Sequence, residues 1–444
     1  MNALTARPHS FRHGIHPQEH KQQTVHLPTQ RMPFVSQYIL PLNQHAGKAA
    51  RSLVKSGERV QRGQLLAKPD GFISTALHSP VTGRVTAIAP RRHPDGRLTT
   101  AIEIEADPYA TQRYAAQSMI DWRTLSRQEF VEHVQQAGLV GMGGAAFPSH
   151  VKYAFPDDRC VKHLVINGAE CEPYLTCDHR LMLERPAAVL QGIEILRQQL
   201  GAERASIGVE MNKPDAIRAL RDLIRPDQPI AVVPLQVKYP QGAEKILIQA
   251  MFGVEVPAGK LPIDLGMVVN NVATVAALAD YFGTGMPLIE RTVTVAGPGV
   301  VRPANLQVPI GTPVRDVLAW CGGLTADTKA VIMGGPMMGT PLVSLDVPIL
   351  KGSTGILAFS EAEMELPTEY TCIHCGRCIE ACPMSLNPSR LGRLAKVRRH
   401  QDMEKYHVMD CMECGSCTFA CPSGIPIVQL VRMAKAAMRK ERST

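Results

Sequence analysis

The run "CIHCGRCIEACP", Cys372 to Pro383, recurs as "CMECGSCTFACP", Cys411 to Pro422. Each reads C-x-x-C-x-x-C-x-x-x-C-P, and the two take eight of the chain's 12 cysteines. A four-cysteine zinc site usually draws two C-x-x-C pairs across a longer loop, whereas three thiolates at i, i+3 and i+6 wrap an iron–sulfur cubane. The last cysteine of each run lies too far along to complete its own cluster, so it ligates the other one. The spacing predicts one [4Fe–4S] centre on Cys372, Cys375, Cys378 and Cys421, and a second on Cys411, Cys414, Cys417 and Cys382. Gly376 and Gly415 let backbone N–H groups approach the sulfurs.

Such a module only passes electrons, and the rest of the chain should show where they come from. In "GLVGMGGAAFPSHVKY", Gly141, Gly143 and Gly144 allow close backbone approach to a phosphate, and Lys152 adds a point charge. The preceding "FVEHVQQAG" reads as a helix, not the strand that a standard dinucleotide fingerprint requires. Downstream, the strand-like "HLVIN" runs into Gly168, Glu170, Glu172, Asp178 and Arg180, polar groups at a strand's carboxyl end. Asn270 and Asn271 interrupt the apolar "MVVNNVATVAAL" and need hydrogen bonds if buried. Each stretch alone also fits an ordinary turn or core.

The elements that must position these residues belong to a chain of 444 residues, long enough for several cores without disulfides or structural zinc. No secretory signal and no stretch of eighteen uninterrupted apolar residues is visible, which suits a reducing cytoplasm. The net charge of +8 is scattered and aromatics make up only 5%, a pattern unlike nucleic-acid binders. Eight histidines precede residue 100 without regular ligand spacing and read as solvated. "NPSRLGRLAKVRRHQDMEKY", between the cysteine runs, places Leu391, Leu394 and Val397 at helical spacing, an amphipathic helix packed on the clusters.

The stretches "GMGGAAFPSHVKY", "NGAECEPYLTCDHRLM", "KYPQGAEKIL" and "VVNNVATVAAL" resemble, in order, the flavin subunit of respiratory complex I. With the opening "FRHGIHPQEHK" and the paired cysteine runs, nearly the whole chain resembles the RnfC component of the Rnf complex in its short form. The resemblance implies FMN contacts at Gly141, Gly143, Gly144, Lys152, Asn167, Tyr239, Asn270, Asn271 and Thr274. It implies NADH contacts at Phe147, Phe155, Glu172 and Glu244. Ala169 and Ala243 stand where the complex I subunit has acids. No residue is expected to act as catalytic acid or base; hydride transfer rests on positioning. Cys160, Cys171, Cys177 and Cys321 have no partner at metal spacing and read as inert.

The expected fold is multidomain α/β. A polar N-terminal arm, 1–30, precedes a lipoyl-like barrel-sandwich hybrid, 31–115, whose "VKSGERVQRGQLLAKPDGFISTALHSPVTGRVTAI" alternates short β runs with Gly turns. Its turn "ALHSPVTG" lacks the lysine a carrier needs, so it reads as a structural or docking module. A Rossmann-like FMN/NADH domain comes next, 120–285. Then come a soluble-ligand-binding β-grasp domain, 288–345, and an α-helical two-cluster ferredoxin domain, 360–440.

NADH yields two electrons as hydride while each cubane accepts one, so a flavin must stand between them. The resemblance implies a peripheral subunit on the cytoplasmic face of the bacterial inner membrane, in a complex coupling ferredoxin and NAD to ion movement. Its implied partners are the other Rnf subunits, above all a ferredoxin-like iron–sulfur subunit. Alternatives are a flavin and iron–sulfur cobalamin reductase, a non-enzymatic two-cluster electron-transfer scaffold, and a quinone- or vitamin-linked reductase.

Overall fold

The computed structural model describes residues 8–114, 119–156, 158–364 and 367–443. The first seven residues of the expected arm lie outside that range. The rest of the arm is not a free tail. Ile15 and Tyr239 exchange backbone hydrogen bonds at 2.9 Å each way, and Thr29–Arg31 pairs in parallel with Ala304–Pro309. Lys21 is buried, and its Nζ donates to the carbonyls of Glu170 (2.9 Å), Glu172 (3.0 Å) and Leu175. The arm is therefore a strap across the molecule. The solvated reading of the early histidines fails with it: His45 and His78 are buried, and the His20 ring stacks on Tyr174 with centroids 4.8 Å apart.

Two small antiparallel sheets form the barrel-sandwich. One runs Gln37–Pro41, Leu98–Ala106, Gly83–Arg92 and Arg59–Val60; the other runs Arg51–Ser52, Leu65–Lys68 and Leu77–His78. Alternation along these strands turns Tyr38, Leu40, Leu66, Val85, Ile102 and Ile104 inward, all essentially without exposure. Residues 74–81, where a carrier domain would display its lysine, are buried.

The central unit is a four-stranded parallel sheet in the order Ile230–Leu235, Arg204–Glu210, His163–Gly168, Met267–Asn271. Its strands are near-continuous apolar runs because helices cover both faces, Pro186–Gln199 and Val272–Thr284 on one and Glu244–Phe252 on the other. The chain adds two strands on one side of His163–Gly168 and the last on the other. This reversal opens a crevice at the carboxyl ends of His163–Gly168 and Met267–Asn271, where α/β sheets bind ligands. The glycine-rich segment precedes the first of these strands and comes after the helix Arg127–Gln136, which a Ser126/Glu129 capping box starts.

A mixed six-stranded sheet packs beside it, with Glu290–Ala296 between Ala304–Pro309 and Gly355–Ser360 and the helix Val314–Trp320 in the same unit. Gly355–Ser360 lies past residue 345, so this sheet extends beyond the expected boundary. The C-terminal unit is helical, its core built on Leu391, Leu394, Met403, Val408 and Val431. Val397 is not on that face: Pro388–Lys396 ends before it and Val397 is 64% exposed. Among the described residues no helix is long and apolar enough to cross a membrane.

Candidate flavin and iron–sulfur sites

A cavity of about 1160 Å³ opens at the crevice. Every residue expected at FMN or NADH lines it except Thr274. Thr274 sits underneath: its Oγ1 accepts from the Met142 N–H at 2.9 Å and donates to the Val140 carbonyl at 3.2 Å. Its hydroxyl shapes the glycine loop and is not offered to a ligand.

The loop closes on itself through Gly141 N–H to the Phe147 carbonyl, 2.7 Å. Gly144 takes φ +110°, where a side chain would be strained, and a Cβ there would meet only open space. A Cβ on Gly143 would lie 3.5 Å from the Asn271 side chain, so this stretch of backbone faces the crevice bare. Two cations missed at the sequence level brace the loop from the neighbouring sheet unit. Arg291, 1% exposed, donates from Nη2 to the Met142 carbonyl and from Nε to the Ser353 carbonyl at 2.7 Å. Lys351, fully buried, donates to the carbonyls of Gly138 (2.8 Å) and Ala76 (2.6 Å), and desolvation pulls its pKa down to about 7. The only sequence signal was a charge inside otherwise apolar or small-residue runs.

At the strand ends, Asn167 Nδ2 donates to the Gly242 carbonyl at 2.8 Å and Oδ1 accepts from the Ala169 N–H at 3.1 Å. Asn271 caps the helix Val272–Thr284 through the Ala273 N–H and donates to Asp178 at 2.6 Å. Burial and the adjacent Glu170 push the Asp178 carboxyl above its usual range. Asn270 accepts from the Tyr153 hydroxyl at 2.7 Å, yet its Nδ2, buried and on the cavity wall, finds no acceptor among the described residues. A buried amide donor beside bare glycine backbone fits a ligand rich in acceptor oxygens, as FMN is.

The cavity's ionic groups are largely engaged. Lys152 pairs with Glu244 at 2.6 Å and also donates to the Val269 carbonyl. Glu172 accepts from the N–H groups of Met337 and Met338, 3.0 Å each, tying the "GGPMMG" loop to the crevice; burial pushes its pKa up to about 7. Phe155 carries the Arg127 guanidinium over its ring at 4.7 Å, and both Phe147 and Phe155 reach the wall. Ala169 and Ala243 line it too.

The cysteines fall into two groups. Cys372, Cys375, Cys378 and Cys421 surround one cavity of about 610 Å³, while Cys382, Cys411, Cys414 and Cys417 surround a much smaller one. Each group takes three thiols from one run and the fourth from the other. Gly376 (φ 79°) and Gly415 (φ 81°) start the short helices that carry the third cysteines. Burial first, and then the neighbouring Cys414, Cys411 and Cys382, push the Cys417 thiol up, a cost that coordination of thiolates to iron removes. Of the remaining four, Cys177 and Cys321 are buried, and burial raises both thiols. Cys171 lines the main cavity, its Sγ accepting from the Gly242 N–H at 3.3 Å, and Cys160 is exposed.

Fold and sites define a flavin- and iron–sulfur-binding redox subunit. Consistent with this, residues 134–280 match the Nuo51 FMN-binding domain and 9–109 the RnfC barrel sandwich hybrid domain. Residues 292–341 match the SLBB domain and 371–425 the 4Fe-4S dicluster domain. The chain is 42% identical over 402 residues to the C subunit of the proton-translocating ferredoxin:NAD(+) oxidoreductase complex of Clostridium ljungdahlii, covering 90% of this chain and 88% of that one. It is 39% identical to the Na(+)-translocating counterpart of Acetobacterium woodii, covering 90% of each. The C subunit of the ion-translocating oxidoreductase complex of Rhodobacter capsulatus is 43% identical, over 86% of this chain and 74% of that protein. The chain belongs to the RnfC family, the C subunits of ion-translocating oxidoreductase complexes. Among solved structures, an NAD+-reducing [NiFe]-hydrogenase in the air-oxidized state shares the fold, with TM-score 0.50 and 18% identity over 70% of this chain and 63% of that one.

Proposed function

We propose that this subunit exchanges hydride with NADH at an FMN held in the 1160 Å³ cavity and passes electrons singly through two [4Fe–4S] clusters to partner subunits. FMN supplies the conversion between a two-electron donor and one-electron acceptors. The chain's own part is placement. Bare backbone at Gly143 and Gly144 accommodates the phosphate, while Asn167 and Asn270 present amides to the ring system. Phe147, Phe155, Glu172 and Glu244 bound the dinucleotide. One cluster takes Cys372, Cys375, Cys378 and Cys421, the other Cys411, Cys414, Cys417 and Cys382. Its partners are the other subunits of a membrane complex, above all a ferredoxin-like iron–sulfur subunit, and the chain sits peripherally on the cytoplasmic face.

The observation that carries this reading is the shared wall: Tyr239 lines the cavity and its hydroxyl donates to the carbonyl of Cys414, 2.8 Å away. An anaerobic NADH titration of the purified chain, after assay of iron, sulfide and extractable flavin, tests it. Flavin bleaching followed by a cluster EPR signal is expected. Full iron with no flavin and no response to NADH would leave a two-cluster scaffold.

A further inference from the structure

One wall of the cavity comes from a module to which no binding role has been given. Asn43, Gln44, His45 and Ala46, just after the strand Gln37–Pro41, line it together with His93, Pro94, Asp95 and Arg97 from the tip of the hairpin joining Gly83–Arg92 to Leu98–Ala106. Both belong to the barrel-sandwich.

Gln44 is 4% exposed, and its Oε1 accepts from the Lys351 backbone N–H at 3.2 Å. That contact fixes which end of the amide is committed. Its Nε2, and the Oδ1 of neighbouring Asn43, are buried and find no hydrogen-bond partner among the described residues. Unsatisfied buried amides are rare and destabilising unless something fills the space they face. Both residues stand in the wall of the ligand cavity.

The position argues for the dinucleotide over the flavin. Ala46 N–H donates to the Ala146 carbonyl at 3.2 Å, so this segment meets the glycine loop at its Ala146–Phe147 end, whereas Gly143 faces Asn271. The hairpin tip is built to hold a cation there. Gly96 turns at φ +88°, and Asp95 accepts from Arg97 Nε at 2.9 Å and pairs with His93 Nδ1 at 2.9 Å. Arg97 remains 72% exposed at its side chain.

We propose that the barrel-sandwich module forms part of the pyridine-dinucleotide site, with Gln44 donating from Nε2 to an oxygen of the dinucleotide and Arg97 contacting its phosphoryl groups. This rests on the reading of the cavity as an NADH site. No lysine-linked carrier group is involved, in keeping with the buried 74–81 turn.

The test uses the flavin- and cluster-loaded chain with NAD+ and ADP-ribose as calorimetric ligands, alongside the KM for NADH with an artificial one-electron acceptor. Gln44→Leu and Arg97→Ala should each weaken both ligands and raise KM about five- to tenfold, the loss of one hydrogen bond or charged contact, with flavin per chain unchanged. Unchanged affinity in Arg97→Ala and Gln44→Leu overturns the proposal. So does loss of flavin at undiminished NAD+ affinity, which would assign Gln44 to the flavin. Arg97 is exposed, so its variant reports even if Gln44→Leu fails to fold. If the unsubstituted chain binds neither ligand, the NADH reading of the cavity falls first, and this inference with it.

Discussion

The Tyr239 hydroxyl donates to the Cys414 carbonyl across 2.8 Å, and both residues are buried. One side chain thus belongs at once to the large cavity and to the cysteine group of Cys382, Cys411, Cys414 and Cys417. The backbone of Tyr239 is itself clamped by Ile15, so the N-terminal strap, the α/β unit and the cluster unit meet at this residue. Tyr239→Phe leaves a buried carbonyl without a donor and should lower stability by about 1–3 kcal/mol. Flavin content should persist while cluster reduction after flavin bleaching slows, as stopped-flow spectroscopy would show.

Cys375→Ala should remove one cluster and leave flavin reduction by NADH intact. Because the ligand sets cross, Cys421→Ala should abolish the same EPR signal although it lies in the other run. Loss of a different signal from the two variants would show that each run closes its own cluster.

Gly143→Val should evict FMN. A Cβ at this position lies in ordinary contact with Asn271, but the added γ-carbons intrude on the bare backbone surface. Flavin extracted per chain is the measurement, and full retention would mean the loop is only a turn.

Glu172 gives a pH signature. Its folded pKa, about 7, lies above the ordinary 4.5, so the protonated form is favoured by folding. The associated stability is fully present below about pH 4.5 and is lost as pH rises through about 7, at roughly 1.4 kcal/mol for each pH step of one between those values. Glu172→Gln should flatten this slope in denaturation midpoints measured across that window.

Lys351→Met should strip donors from the Gly138 and Ala76 carbonyls, which lie in two different units. Flavin affinity is expected to fall by about tenfold, read by fluorescence of released FMN, because the loop loses one of its two buried braces.

Sequence alone determined the features that depend on local spacing. The cysteine runs announce their chemistry because cubane ligation demands a fixed step between thiolates, and a repeated step is hard to mistake. The strand "HLVIN", the helix "FVEHVQQAG" and the glycine turn were legible for the same reason, since their patterns are short-range. Tertiary structure decided what depends on distant segments meeting. Thr274 proved to support the glycine loop from below, and Val397 fell outside the helix that periodicity had given it. The roles of Lys21, Arg291 and Lys351 cannot be read locally, because a buried cation is defined by carbonyls dozens to hundreds of residues away. The barrel-sandwich wall of the cavity is of this kind too: the turn holding Gln44 reads as an ordinary polar loop until the fold sets Lys351 on one side of it and the ligand cavity on the other.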